Sequence, residues 1–289
     1  MKLLHQGMAL FLSLSLTNKT RLHTRFWHAR PAKLPFAMLV MWGTNGSYSL
    51  LAQESAQPTF PSATEASQRL LQRVRSNDAQ GIERILGGSS ELASSHDDGQ
   101  DKADRDVFIQ KYQEMHRLCR EADGSVTLYI GAENWPFPVP LVEKNGAWRF
   151  DPVAGAKEVT FRRIGNNELT VVATCHEFVA AEKQYRARPM SPDLTVNSIA
   201  SLIAKVADGS AGGDPVLSDG YYFRSLTTNS GGQFALIAYP AEYRSSGVMT
   251  FIVTSKDVVY EKDLGANTTA VAGAMTEFHK DATWRVADQ

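Results

Sequence analysis

The chain has 289 residues, of which 43% are hydrophobic and 21% are charged, so it is long and apolar enough for two ordinary domains and is not a disordered chain. Its 30 basic and 31 acidic residues nearly balance, but residues 1–52 hold six of the basic residues and no acidic one. The remaining body, with a net charge of −7, is mildly acidic, which argues against nucleic-acid binding.

Residues 1–52 have the pattern of an export signal or leader. Arg30 and Lys33 precede the apolar run LPFAMLVMW, and small and polar residues follow, so cleavage after Ser49 or Ala52 would fit. An earlier apolar run, MALFLSLSL, is shorter than the ~20 residues of a bilayer-spanning helix. It is either a signal core itself or lies ahead of an internal start. We expect an exported protein, periplasmic or secreted, with no membrane span after signal removal; an uncleaved signal anchor is the alternative.

Helices are predicted directly after the leader. Residues 53–61 are interpreted as a polar linker broken by proline. Ser62 and Glu65 have capping-box spacing and predict a helix over about 62–75. Asp78 predicts the cap of a second short helix that ends at Gly87 and Gly88.

A charged loop and a third helix come next. The segment SSHDDGQDKADRD is predicted to be the loop, and the helix is predicted to run from Asp104 to before Gly124. Its apolar residues recur at spacings of four, three and four, which place them on one stripe. They are Phe108, Tyr112, Met115 and Cys119.

A small sheet is predicted to follow these helices. SVTLYIGA alternates with a period of two, and VPLVEK and AWRFD flank Asn145-Gly146, a strong signal for a two-residue hairpin turn. Proline cannot donate to a sheet ladder, so Pro136, Pro138 and Pro140 are interpreted as leading into an edge strand. The neighbouring aromatic residues are interpreted as core of a helix-covered sheet, with a sugar- or aromatic-binding platform as the alternative. They are Trp135, Phe137, Trp148 and Phe150.

The second half of the chain predicts one long helix and an antiparallel meander. The helical pattern covers about 154–185, with Gly165 as the place where it could bend. A loop-rich stretch with one short helix, NSIASLIAKVA, is followed by GYYFRSLT, QFALIAYP, GVMTFIVT and VVYEKDLG as strands. A last helix begins near Asn267. The residues predicted to face inward are Leu169, Val172, Ala173, Val179 and Ala180 on the long helix, and Val271, Met275 and Phe278 on the last.

Four motifs carry a family resemblance. WPFPVPLVEKNGAWRFD, RRIGNNEL, PAEYRSSGVMTFIV and VVYEKDLG together closely resemble the bacterial family catalogued as domain of unknown function 2950, over about residues 59–286. The resemblance implies an exported bacterial protein and supplies no catalytic residue. Members of the family usually have a longer connection ahead of GYYF, often with a His just before its Gly, where this chain has Asp219.

Two looser resemblances concern architecture. Residues 60–152 are similar to the cone-shaped nuclear-transport-factor-two-like fold, and the later helix and strands are similar to the globular head of type IV pilins. We therefore expect an α+β protein of two domains, a helix-plus-curved-sheet cone over 62–152 and a helix packed on an antiparallel meander over 153–289. A pilin also has a long apolar helix running into its head, which this sequence lacks at that place.

Arg162, Arg163 and Glu168 are the densest charged cluster beside the predicted bend. Two arginines could clamp a carboxylate or phosphate through their fork geometry. The alternative is an interdomain salt bridge, with Glu168 satisfying one Arg, or a solvated helix face. Trp135 is the fourth candidate binding residue.

The sequence predicts no metal site and no cofactor. The acidic segment around His96 and Asp97 to Asp104 bunches oxygen ligands as calcium prefers, but its spacing fails the EF-hand pattern, and a solvated loop with a helix cap is favoured. No nucleophile elbow or phosphate-binding loop occurs, and GGSS and SSGVM are interpreted as ordinary turns. Cys119 and Cys175 permit at most one intramolecular disulfide, with buried thiols as the alternative.

These patterns favour a non-enzymatic exported protein that binds a partner or contributes to envelope assembly. The expected partner is an envelope or pilus-related protein, and not nucleic acid. The alternative is a hydrolase or isomerase, or a small-molecule binder, with a pocket in the first domain or in the interdomain cleft near Arg162 and Glu168.

Overall fold

The computed structural model describes residues 57–95, 97–187, 215–226 and 234–287. Within these ranges the fold is α+β, with two antiparallel sheets and helices packed on both. The predicted leader at 1–52 and the predicted helix NSIASLIAKVA lie outside the described residues.

The first two helices begin where their caps predicted. Helix α1 covers Ala63–Arg75, and the side chain of Ser62 accepts a hydrogen bond from the backbone N–H of Glu65 at 3.1 Å. Helix α2 covers Ala79–Ile85, and Asp78 accepts from the N–H of Gly81 at 2.8 Å. Each cap satisfies one of the N–H groups that a helix start leaves unpaired.

The third predicted helix has different bounds. A short helix α3, Ser90–Ala93, lies just before the predicted loop. Helix α4 covers Asp98–Glu114 and so begins inside that loop, because Asp97 caps it by accepting from the N–H of Gln100 at 2.9 Å. The helix ends at Glu114, so the predicted stripe is wrong beyond Tyr112: Cys119 lies in a strand. Apolar residues at helical spacing continued into that strand by coincidence, and the pairing of Leu118 with Leu128 decides its conformation.

The first sheet follows α4. Its strands are β1 His116–Arg120, β2 Val126–Ile130, β3 Trp135–Pro136, β4 Leu141–Lys144 and β5 Ala147–Phe150. The order is β1-β2-β4-β5, and β3 also pairs with β2. The predicted hairpin is confirmed, since β4 and β5 meet at Asn145 and Gly146, with φ of 55° and 76°. Positive φ at both positions is what a type I′ turn requires.

The prolines do not lead into an edge strand, and that prediction is wrong. Strand β4 lies between β2 and β5. The chain tolerates three prolines here because two of them fall in the gap between β3 and β4, where no ladder donor is needed. The carbonyl of Pro140 is still used, since it accepts from the N–H of Asp151 at 2.8 Å.

The predicted linker is packed where the structure describes it. Phe60 is 7% exposed, and its backbone exchanges hydrogen bonds with Trp148 at 2.8 and 2.7 Å. The side-chain amide of Gln57 donates to the carbonyls of Ile85 and Phe150. Residues 57–61 therefore pack as part of the N-terminal hydrophobic core and are not a free linker.

Helix α5, Pro152–Ala187, is a single 36-residue helix that packs on both sheets. At about 1.5 Å per residue it is about 54 Å long. Val159 belongs to the core of the first sheet, whereas Val171, Cys175 and Phe178 belong to the core of the second. The helix continues through Gly165.

The inward face of α5 was predicted only in part. Val179 is buried and Val172 is half-buried, but Leu169 is 74% exposed, and Ala173 and Ala180 are also exposed. The buried face rotates where the helix changes from one sheet to the other, so a single apolar stripe could not describe it.

The second sheet is the predicted antiparallel meander with a short strand added at each edge. Its strands are β6 Val216–Ser218, β7 Tyr221–Leu226, β8 Ala235–Pro240, β9 Met249–Thr254, β10 Val259–Asp263 and β11 Arg285–Val286. They lie side by side in chain order. Helix α5 covers one face, and the other face packs against helix α6, Thr268–Ala274, and Trp284. Val271 of α6 is 45% exposed, not inward as predicted.

No disulfide joins Cys119 to Cys175, which lie in β1 and α5. In the described part of the chain, no helix combines the length and the apolar character needed to cross a membrane.

Candidate functional site at the middle of helix α5

Arg162 fastens α5 to the first sheet. Its Nε donates to Oε1 of Glu158 at 2.7 Å, and its Nη1 donates to the carbonyl of Pro136 at 2.9 Å. The guanidinium also lies over the ring of Trp135, with Cζ 5.1 Å from the ring centroid, in cation–π geometry. The structure thus brings two of the four predicted site residues together, and they join a helix to a strand.

Glu168 fastens α5 to the second sheet. Its Oε1 accepts from the backbone N–H groups of Val248 and Met249, both at 2.9 Å. The preceding residue acts in the same way, since Nδ2 of Asn167 donates to the carbonyl of Ser246 at 2.8 Å. Two consecutive side chains therefore hold the 241–248 loop, which enters β9.

The predicted salt bridge between Glu168 and an arginine is not formed. The carboxylate partner of Arg162 is Glu158, one turn away on the same helix. Arg162 and Glu168 are six positions apart, which separates them by about 9 Å along the axis and by about 120° around it. Arg163 is half-buried, and its Nε has no hydrogen-bond partner among the described residues. The predicted charged cluster is thus divided, with Arg162 bound at the first sheet and Glu168 bound at the second.

Tyr221 completes the attachment to the second sheet. It is fully buried, its hydroxyl donates to the carbonyl of Met249 at 3.0 Å, and Oε1 of Glu168 lies 3.4 Å away. Burial, and then the nearby Glu168 carboxylate, raise the pKa of Tyr221, so the hydroxyl remains a neutral donor at physiological pH.

The 241–248 loop is tightly built, although sequence reasoning interpreted it as an ordinary turn. Arg244 has φ of 62° and its N–H donates to the carbonyl of Gly247 at 2.7 Å. A Cβ added to Gly247 would lie 1.9 Å from Oη of Tyr221, so only glycine fits at this place. In the sequence, the signal for this tight site was a Gly directly before an apolar strand. The residue that excludes a side chain there, Tyr221, lies 26 residues earlier and could not be inferred from it.

The acidic segment near residue 97 is a set of helix-start contacts. Asp101 accepts from the N–H and the hydroxyl of Ser95 at 2.7 and 2.6 Å, and Gln100 donates to Asp104 at 2.7 Å. Among the described residues, which leave out His96, no group of three or more His, Cys, Asp or Glu is arranged to hold a metal ion.

Replacing Asp104 with Asn is expected to stabilise the protein at pH 7. Burial raises the pKa of Asp104, and Asp101 acts in the same direction, while Gln100 and Arg105 oppose them. The folded state holds this proton more tightly than the unfolded state does. Its ionised form therefore costs stability above the folded pKa, and the cost vanishes below the unfolded pKa. The free energies of unfolding of wild type and Asp104→Asn, measured in urea, should differ at pH 7 and converge at about pH 3.

The exposed Asp106, paired with Lys102, provides the matched control. Asp106→Asn should not show the stabilisation. A difference for Asp104→Asn that is independent of pH would contradict the burial argument.

The interior of the first sheet is filled with side chains. Phe137 has its ring centroid 5.8 Å from that of Phe108 and 6.0 Å from that of Phe150, and all three residues are at most 2% exposed. A groove of about 450 Å³ lies elsewhere, along α1. Its lining is polar and comes from that one helix and its cap: Ser62, Thr64, Glu65, Gln68, Arg69 and Gln72.

The fold and the site together define an α+β protein in which one helix is anchored to two antiparallel sheets. The model of the family described as "Protein of unknown function (DUF2950)" matches residues 57–213 and 217–287. The chain belongs to this family, as the four motifs predicted. No curated protein and no solved structure matches the chain, so the resemblances to the cone-shaped fold and to pilin heads stay predictions.

Proposed function

We propose that this protein is an exported, non-enzymatic protein that binds a protein partner in the cell envelope through the exposed face of α5. The observation that carries the proposal is an apolar ridge on that helix, the α5 ridge, formed by Phe161, Gly165, Leu169 and Ala173. All four residues are exposed, and Phe161 and Leu169 are 68% and 74% exposed. Large apolar side chains grouped on a surface are typical of protein interaction sites.

The anchors of α5 support the proposal because they lie beside the ridge. Arg162, which is bound to Pro136, follows Phe161 directly, and Glu168, which is bound to Val248, precedes Leu169 directly. The RRIGNNEL motif therefore fixes the position of the two exposed apolar residues. A surface that is ordered before binding loses less entropy when a partner docks.

The leader supports the location that we propose. Residues 1–52 have the charge asymmetry and apolar core of an export signal. An intact-mass measurement of the protein recovered from the cell envelope or the culture medium tests this part, since removal of the leader predicts a mature chain that starts after Ser49 or Ala52.

Cross-linking with formaldehyde in the organism that makes the protein tests the binding surface. The wild type should give a discrete cross-linked species on an immunoblot, and the Phe161→Gln/Leu169→Gln variant should lose it. Glutamine removes the exposed apolar area and keeps helix propensity. Val271→Gln, which changes an exposed apolar residue on α6, should leave the species unchanged. The proposal fails if the wild type and the double variant give the same species.

A further inference from the structure

We infer that the partner of the α5 ridge is a second copy of this chain, docked antiparallel across a two-fold axis that passes level with residue 167. The inference rests on the proposed function, because it names the partner of the same surface. In this register Leu169 of one copy lies against Gly165 of the other, and Phe161 lies against Ala173. Each large side chain then meets a small one, which is the self-complementarity that a two-fold interface requires.

The spacing of the ridge suits helix-to-helix packing. Residues four apart form a continuous ridge on a helix, and interdigitation of two such ridges gives crossings of about −50°. From Phe161 to Ala173 the ridge covers about 18 Å of the axis and turns through about 120° of the helix surface. It lies on the side of α5 opposite Val171 and Phe178, which pack into the second sheet. With respect to the described residues, the ridge therefore projects outward where another helix could reach it.

Charge at the two ends of the ridge favours the antiparallel direction. Lys157 and Glu177 continue the same four-residue spacing beyond Phe161 and Ala173, and both are exposed. Antiparallel docking places Lys157 of one copy toward Glu177 of the other, at the rim of the contact. Parallel docking would place like charges next to each other, which is unfavourable.

Gly165 provides an independent reason for a partner. Glycine inside a helix is less favourable than alanine. Within the described part of the chain nothing requires glycine here, since a Cβ added to Gly165 would meet none of its atoms within 4 Å. The missing side chain leaves a depression between Phe161 and Leu169, and Leu169 of a second copy fits it.

Gly165→Gln separates this inference from a role in folding. Because there is open space and glutamine is a good helix former, the melting temperature of the dilute monomer should rise by a few degrees. The dimer dissociation constant, measured by sedimentation equilibrium on the mature full chain, should rise at least about tenfold because the depression is filled. Leu169→Gln should weaken the dimer similarly. Gly273→Gln on α6, where an added Cβ also meets no atom of the described residues within 4 Å, should leave dissociation unchanged.

The outcomes distinguish this inference from the proposed function. A wild-type chain that stays monomeric at about 1 mM, or a dimer that Gly165→Gln does not weaken, overturns the second copy as partner. A cross-linked species that depends on the ridge but differs in mass from two copies also overturns it, while the proposed binding surface stands. If no species of any mass depends on the ridge, both fail.

Discussion

The Gly247→Ala variant is expected to lower the free energy of unfolding by about 3 kcal/mol, because the added methyl group overpacks a filled site. The new Cβ would lie 1.9 Å from Oη and 2.4 Å from Cζ of Tyr221. Tyr221 cannot move aside easily, since it is fully buried and its hydroxyl is bound to the carbonyl of Met249. Urea unfolding followed by circular dichroism measures the loss.

A glycine with open space provides the control for Gly247→Ala. Gly273→Ala adds the same methyl group in α6, where none of the atoms that the structure describes lies within 4 Å, and it should be neutral or stabilising. In a Tyr221→Ala background the cost of Gly247→Ala should fall by more than about 1 kcal/mol, because the clashing ring is gone. If Gly247→Ala lowers the free energy of unfolding equally in that background, the loss comes from the loop conformation and not from the clash with the ring.

Arg224→Met is expected to cost about 3 kcal/mol and to loosen the C-terminal part of the chain. Arg224 is 7% exposed, and its Nη2 donates to the carbonyls of Ala272 and Met275 at 2.8 and 2.6 Å. These carbonyls lie at the end of α6, where the helix dipole is negative and a cation is stabilising. Methionine keeps much of the volume but leaves these carbonyls without this donor.

Limited proteolysis with mass analysis of the fragments checks where Arg224→Met acts. The variant should be cut between β10 and β11 at protease concentrations that leave the wild type intact. Arg285→Met removes an exposed arginine 3.8 Å from Glu261 and should change stability by less than about 0.5 kcal/mol. Equal stability and equal cleavage for the two variants would contradict the role given to Arg224.

Local features of the fold were predictable from the sequence. The caps at Ser62 and Asp78 and the turn at Asn145-Gly146 depend on contacts within a few residues. The meander also followed from local alternation and turn residues. The cap at Asp97 was missed because the acidic run around it has the composition of a solvated loop.

Features of the candidate site were predictable only as residue types. Arg162 and Trp135 were chosen separately, and the structure brings them together across 27 positions of sequence. The donors that bind Glu168 are backbone groups some 80 residues away, which no side-chain pattern indicates. The exposure of Leu169 depends on which side of α5 each sheet occupies, and that is a property of the tertiary structure.

The continuity of α5 has a mechanical consequence. Its attachments to the two sheets, at Arg162 and Glu168, are only six residues apart on one uninterrupted helix. A force applied to one sheet would reach the other as tension along the backbone hydrogen bonds of that helix, because no loop is present at that point to absorb it by swinging. The molecule should therefore transmit load from one sheet to the other in the way that a short rigid rod does.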